Sequence, residues 1–397
     1  MIRYERPRQW IQYDQAAISQ ELAEAKAAVL TLQTMPFQRS WVEDLQRIQL
    51  KMEVAGTSRI EGAEFTDREL DAVLKETPEQ MATRSQRQAY AALQAYKWIA
   101  TLPNDLPITP DLVRKIHRLI ITGADDDHCP PGELRTRDHN VNFGSPRHRG
   151  CEGGEECVLA LEAFAKAAQT EYTKHDRLIQ ALAVHYHLAA MHPFLDGNGR
   201  TARALEALML QRAGLRDISF IAMSNYYYDE KTAYLAALAA VRRGSDHDLT
   251  PFLIFGLRGV TTQAKRLLAQ IRREMQKALF RNIMFDLFTR LRTPRKRVIA
   301  DRQLEILKLL LAANEPVALS AVTERLRPRY SSLRNPEKGQ LRDVMALIHL
   351  GAIETVRGDR NEVKLGLRLQ WPTEITETAF FERLKALPKA KTYAFLQ

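Results

Sequence analysis

The residues best placed to do chemistry lie in one run: His192-Pro193-Phe194-Leu195-Asp196-Gly197-Asn198-Gly199-Arg200-Thr201-Ala202-Arg203. Before it, Leu178 to Met191 reads as a long apolar helix. That helix must end at His192, because the residue before a proline is pushed out of the α region toward extended geometry. A histidine at a helix C-terminus sits by the negative pole of the dipole, where gaining a proton is favoured, which suits a general base. The glycines of Asp196-Gly197-Asn198-Gly199 let backbone N–H groups converge, and a second helix starting at about Arg200 turns its positive pole to the same loop. The loop is therefore an expected anion cradle. Arg200 and Arg203 share a face of that second helix, so both guanidiniums are expected to point at one polyphosphate. Asp196 adds a hard oxygen ligand suited to Mg2+. Base, cradle, cation ligand and paired guanidiniums together describe transfer of a nucleotidyl or phosphoryl group to a hydroxyl. Taken singly, each feature is commonplace: a helix-end histidine, a turn, an arginine pair on a solvated face. Their adjacency in this order is hard to explain by packing. The sequence contains no P-loop, kinase set or dinucleotide fingerprint that would offer another phosphate site.

The elements that must position these residues are mostly helical. Ala, Leu, Gln, Glu and Arg fill most windows, with apolar residues at helical spacing in Ile18 to Leu32, Leu178 to Ala190 and Ala204 to Leu210. A turn-rich stretch, Thr101 to Pro110, marks one domain edge. Between Asp125 and Gly154 the pattern breaks, with Pro130-Pro131 and several glycines around an alternating piece, Leu134 to Phe143. It is expected to form a hairpin or extended flap, the alternative being a plain solvated loop. His128, Cys129, His139, His148, Cys151 and Cys157 fall nearby without the close spacing of a zinc site. A long helical stretch from about Thr250 to Arg292 is expected to end at Thr293-Pro294 and a basic linker, Arg295-Lys296-Arg297. Beyond it, Arg302 to Ala313, Leu319 to Leu326 and Glu337 to Leu350 read as short helices, and Ala352 to Val356 and Glu362 to Leu369 as strands joined through Gly358-Asp359-Arg360-Asn361. Three helices and a hairpin wing resemble a winged helix-turn-helix domain. The expected domains are 1–102, 103–292 and 296–397.

The chain's 397 residues predict two or three domains at about 150 residues each. With 45% hydrophobic and 27% charged residues it is an ordinary globular composition, not a disordered or fibrous one. No signal-peptide pattern or membrane-spanning run occurs, and three cysteines do not make a disulfide framework, so a reducing cytoplasm is expected. Residues 1–257 hold 30 Lys and Arg against 34 Asp and Glu, whereas residues 258–397 hold 28 against 14. The basic excess thus lies wholly in the last third, which suits nucleic acid or an acidic protein partner. Lys338 and Arg342 are the basic residues of the presumed recognition helix.

The run at 192–203 matches the signature H-P-F-x-D/E-G-N-G-R-x-x-R, and on it the chain resembles the Fic (filamentation induced by cAMP) family. The resemblance implies a mainly α fold: a Fic-type helical bundle with a β-hairpin flap, a helical N-terminal extension through Trp10 and Trp41, and a C-terminal winged helix as a common appendage. It also implies binding of ATP with Mg2+ and transfer of AMP to a Tyr, Thr or Ser hydroxyl of a target protein or of the chain itself. In that frame His192 would deprotonate the hydroxyl and Asp196 would ligate Mg2+. Gly197, Asn198 and Gly199 would cradle phosphates, Arg200 would hold them, and Arg203 would take the γ-phosphate, with Thr201 and Ala202 in the same stretch. Val141-Asn142-Phe143-Gly144 would end the flap over the nucleotide, and Tyr234 would line the adenine side, unless it is a core tyrosine. Thr57-Ser58-Arg59-Ile60-Glu61-Gly62 is similar to the family's inhibitory helix signature, a Ser or Thr followed four residues later by Glu and then Gly or Asn. By resemblance Glu61 would pair with Arg203 and displace the γ-phosphate; it would also allow AMP removal. Competing readings are a nucleotide-sensing DNA-binding regulator and transfer of another phosphate-containing group. A homodimer and a DNA or protein partner of the C-terminal domain are further expectations.

Overall fold

The computed structural model describes residues 2–35, 39–75, 81–215, 220–244, 246–291, 294–313, 315–358, 362–386, 393 and 396, with side chains at 39–41 and 294–297 also outside the description. Contacts divide the chain into two units, Met1–Leu268 and Ala269–Gln397.

The first unit starts with a short strand β1 (Ile2–Arg3) and helices α1 (Gln15–Thr34) and α2 (Arg39–Ile60). Next come α3 (Asp67–Val73), α4 (Arg84–Thr101) and α5 (Pro110–Ile121). Local chemistry sets these boundaries. Thr66 with Glu69 and Thr83 with Gln86 make reciprocal capping boxes, and Thr109 caps α5 with Pro110 in its first turn. Strands β2 (Asn142–Phe143) and β3 (His148–Arg149) follow, then α6 (Glu155–Thr170), α7 (Arg177–Met191) and α8 (Asn198–Leu210). Nearly every residue of α7 and α8 is buried, so this pair is the centre of the unit, with α5 against α8 and α2 against α4. Helices α9 (Met223–Asp229), α10 (Lys231–Arg243) and α11 (Thr250–Thr289) complete it; α2 packs on α9, and the division between units falls inside α11.

The flap is shorter than the sequence pattern suggests. Residues 134–141 are turns and irregular chain, and the antiparallel ladder holds only Asn142–Phe143 against His148–Arg149. The reason is competition for backbone groups. The Arg135 N–H donates to the Pro193 carbonyl at 3.0 Å and its carbonyl accepts from Gly154 at 2.7 Å, so the supposed strand is spent on holding the motif loop. Strand β1 pairs in parallel with β3, giving the order β1-β3-β2.

In the second unit α12 (Pro294–Ala312) begins where the sequence reading puts a basic linker: Pro294 opens a helix instead of ending one, as its fixed φ and missing N–H allow. Residue 293 lies outside the described residues. Strand β4 (Val317–Ala318), helices α13 (Leu319–Tyr330) and α14 (Pro336–Leu350), strands β5 (Ile353–Arg357) and β6 (Val363–Leu367), α15 (Trp371–Glu374) and α16 (Glu377–Lys385) follow. The antiparallel sheet runs β4-β6-β5, with β4 an addition to the expected hairpin. Residues 359–361, expected at the tip, lie outside the described residues. Leu307, Val322, Leu347, Leu365, Trp371 and Phe380 share the core with Phe280 and Met284 of α11, which is why contacts divide the chain earlier than the Thr293-Pro294 edge. Among the described residues no helix is long and apolar enough to cross a membrane.

Candidate active site

Helix α7 ends at His192, but not in the extended geometry that a following proline favours: His192 is left-handed, at φ 53 and ψ 55. The strained cap turns the ring back so that Nδ1 lies 3.1 Å from the Ala189 carbonyl. A carbonyl only accepts, so Nδ1 carries the proton and Nε2 keeps its lone pair. The His192 carbonyl accepts from Arg135 Nε at 2.9 Å. The Phe143 ring lies parallel to the imidazole, with centroids 3.8 Å apart, and the Arg242 guanidinium lies 5.0 Å from the Phe143 ring centroid. Burial, aided by the charges of Arg135 and Arg242, lowers the His192 pKa to about 4. The helix-dipole argument from sequence therefore gives the wrong sign: desolvation of the imidazolium outweighs the dipole. The imidazole is nonetheless better prepared to accept a proton, because it is neutral near pH 7.

The loop between α7 and α8 is locked from within. The Asn198 side chain accepts from the Phe194 N–H at 2.9 Å and donates to the Phe194 carbonyl at 2.8 Å. Asn198 thus shapes the loop by bracing it. Gly197 is the N-cap of α8 at φ 71, offers no side chain, and leaves the first N–H groups of the helix uncapped. A Cβ on Gly199 would stand 2.6 Å from Glu61 Oε1, so a side chain here would press on the tip of that carboxylate. Thr201 turns its hydroxyl back to the Gly197 carbonyl at 2.8 Å and Ala202 is buried, so neither brings a side-chain group to the loop.

Arg200 and Arg203 do not converge on a common partner. Arg200 is buried and donates to Asp125 at 2.6 Å and to Asp196 at 3.4 Å. Arg203, 2% exposed, donates to Glu61 at 2.6 Å, to the Thr57 hydroxyl at 2.9 Å and to the Thr57 carbonyl at 3.2 Å. Glu61 follows the last residue of α2, so the expected Glu61–Arg203 pair is present as a geometric fact, and Gly62, at φ 91, turns the chain away behind it. Burial acts to lower the Arg203 pKa, but the charge and hydrogen bond of Glu61 together with Tyr234 and Tyr96 outweigh it and the net shift is upward. The Asp196 carboxylate is partly exposed, bonded by the Gly197 N–H at 2.6 Å and by His128 Nε2 at 3.1 Å. Burial acts to raise its pKa, yet Arg200 leads the groups that hold it below the usual range. With Asp125 and His128 it forms a group of possible ligand atoms within 4.8 Å, but Asp125 is committed to Arg200, Arg84 and Gln88.

Tyr234 takes the core placement. It is 2% exposed, stacks on Tyr227 at 4.7 Å and bonds His185 Nε2 at 2.8 Å. Its hydroxyl also meets Arg203, and burial pushes its pKa up to about 12. His185 Nδ1 in turn bonds the buried Glu206 carboxylate, so Arg203 rests on an internal polar chain.

Residues 107–210, which include this whole loop, match the model of the Fic/DOC family. Over these residues the chain carries a Fic/DOC-family domain. The protein adenylyltransferase Fic of Drosophila melanogaster is 31% identical over 166 residues, covering 41% of this chain and 30% of that protein. The chain thus spans about 30% of the length of the curated relatives it matches. Among solved structures, a Fic family protein from Desulfovibrio desulfuricans G20 aligns with TM-score 0.57 at 17% identity, over 92% of this chain and 98% of that one. Fic-1 from C. elegans aligns with TM-score 0.54 at 20% identity, over 65% and 74%.

The Fic core also depends on residues that the sequence reading passed over. Asp125, 0% exposed, anchors Arg200; it is one of three consecutive aspartates and nothing local singles it out. Burial works to raise its pKa, but Arg200, Gln88 and Arg84 more than reverse this. His117 accepts the Gly132 N–H on Nδ1 at 2.9 Å and meets the Asp196 carbonyl through Nε2 at 3.0 Å, joining the root of the flap to the motif loop. Arg135 supports the base from behind.

Proposed function

We propose that this Fic-domain chain is a protein adenylyltransferase, moving AMP from ATP to a Tyr, Thr or Ser hydroxyl of a target protein and held in check by Glu61. The observation that carries the reading is a neutral His192 with its Nδ1 proton engaged and no partner on Nε2 among the described residues, on the same loop as the uncapped N-terminus of α8. Nε2 would take the proton of the target hydroxyl as its oxygen bonds the α-phosphorus; the bond from that phosphorus to the bridging oxygen breaks and pyrophosphate leaves. The N–H groups opening α8 receive phosphate oxygens. Among the described residues Arg200 Nε is buried without a partner, a donor that suits an anion arriving at the cradle. The partly exposed carboxylate of Asp196 suits Mg2+, which when bound supplies charge neutralisation on the polyphosphate. Arg203 can hold the terminal phosphate only after Glu61 releases it, since the two ligands need the same donors.

Transfer from α-labelled ATP with Mg2+ tests this, using wild type, Glu61→Gly and Glu61→Gly with His192→Ala, in buffer and in bacterial lysate. Label is expected with Glu61→Gly and should fall about 100- to 10,000-fold in the double variant, which keeps its fold. ATP bound by Glu61→Gly with no label on any protein would overturn the assignment.

A second reading concerns residues 269–397 alone. Arg325, Arg327, Arg329, Arg334, Lys338 and Arg342 are exposed on and between α13 and α14, ahead of the β5–β6 hairpin. This supports a winged helix that contacts the phosphates of duplex DNA. Retention of the full chain on duplex DNA should weaken steeply with salt; no retention at low salt would sink the idea.

A further inference from the structure

Two turns before the partly exposed Glu61, helix α2 carries a buried carboxylate, Glu53, that the reaction does not use. Glu53 accepts from the Ser224 N–H at 3.1 Å, from the Ser224 hydroxyl, and from the Tyr96 hydroxyl at 3.0 Å. Ser224 lies in the first turn of α9, whose own N-cap, Ala222, supplies no side-chain bond. The group that satisfies the Ser224 amide therefore comes from the helix packed on it. One turn on, a Cβ at Gly56 would stand 2.4 Å from Ser224 C and Asn225 N, so the backbone of α2 rests directly on that of α9. Thr57, on the same face, then bonds Arg203, and Lys231 Nζ holds the Ile60 carbonyl at 2.7 Å just before Glu61. Residues 53, 57 and 61 recur at helical spacing, so a single stripe of α2 makes every one of these contacts.

We infer that Glu53 and Gly56 are positioning residues that seat α2 on α9 and thereby set the register at which Glu61 meets Arg203, so that they govern how readily ATP displaces the inhibitory carboxylate. The inference rests on the inhibitory reading of Glu61. Thr57 and Glu61 touch Arg203 directly, whereas Glu53 acts only through the helix that carries them. Burial pushes the Glu53 carboxyl up to about 7, with Glu206 adding to the shift. A neutral glutamine, with its oxygen in the same place, should therefore keep the contact.

The test is the ATP dissociation constant of the full chain, with AMP transfer from α-labelled ATP as a second readout. Glu53→Ala and Gly56→Ala should tighten ATP binding and raise transfer roughly 5- to 150-fold, the usual range of coupling between two sites. Glu53→Gln should stay near wild type. In a Glu61→Gly background Glu53→Ala should change either quantity by no more than about twofold, because the contact it positions is already gone. Should Glu53→Ala fail to fold, Ser224→Ala removes the hydroxyl from the other side and is expected to act in the same direction. Wild-type ATP binding in folded Glu53→Ala, or equal losses with and without Glu61, would overturn the inference. Glu61→Gly alone separates the two failures: if it does not tighten ATP binding or raise transfer, the inhibitory reading itself falls.

Discussion

Helix α8 offers two arginines one turn apart, and the fold treats them oppositely. Arg200 is bound by Asp125, a carboxylate 0% exposed and braced by Arg84 and Gln88 on α4. Arg203 is bound by Glu61, 34% exposed, just past the end of a helix and, among the described residues, without a second cation of its own. The first clamp is wired into the core and keeps its guanidinium in place whatever is bound. The second stands at the rim, where a competing anion can reach it. Depth and bracing thus separate a carboxylate that builds the site from one that can leave it.

That contrast can be broken by experiment. Asp125→Ala should be the most damaging change, because it strands the buried Arg200 charge; a loss of about 3–5 kcal/mol is expected in urea unfolding. Glu61→Gly removes a partly exposed partner while Thr57 and Tyr234 remain on Arg203, so its cost should be nearer 1 kcal/mol. Equal costs would erase the distinction. Acid should also strike the Arg200 side first, through His117, which burial holds at about 4 and which bonds the Asp196 carbonyl. A histidine whose pKa is depressed on folding stabilises above its unfolded value near 6.5, and that contribution is lost as pH falls toward 4. Urea unfolding at steps from pH 7 to 4 should show a decline to which His117 contributes on the order of 2–3 kcal/mol, and His117→Gln should flatten it. The smallest effect belongs to Gly199→Ala, whose Cβ would press on Glu61 Oε1: ATP affinity should change by only a few-fold while the melting curve moves little.

How much of this was legible follows from sequence distance. The loop was readable because its parts are local: a proline after His192, glycines at 197 and 199, arginines one turn apart. The Arg200–Asp125 clamp was not, since 75 residues separate the partners and Asp125 looks no different from Asp126 and Asp127. The protonation state of His192 is not legible because only the helix end can be read from sequence, whereas burial and the charges of Arg135 and Arg242 that oppose it come from the fold. Likewise the alternation at 134–143 looked like a strand, but the backbone of Arg135 had a remote partner at Pro193. Tyr234 offered no means of choosing between a ligand wall and the core, for either place suits an aromatic on a helix.

The parallel stack of Phe143 on His192 has one more consequence. An imidazole lying under a benzene ring has its carbon-bound protons shielded by the ring current. In the proton NMR spectrum His192 should therefore resonate upfield, as should His117, which stacks on Phe194 at 3.7 Å, but only the His192 displacement would vanish whenever the flap lifts. The protein thus carries its own spectroscopic reporter on the opening of its base, with no label to attach.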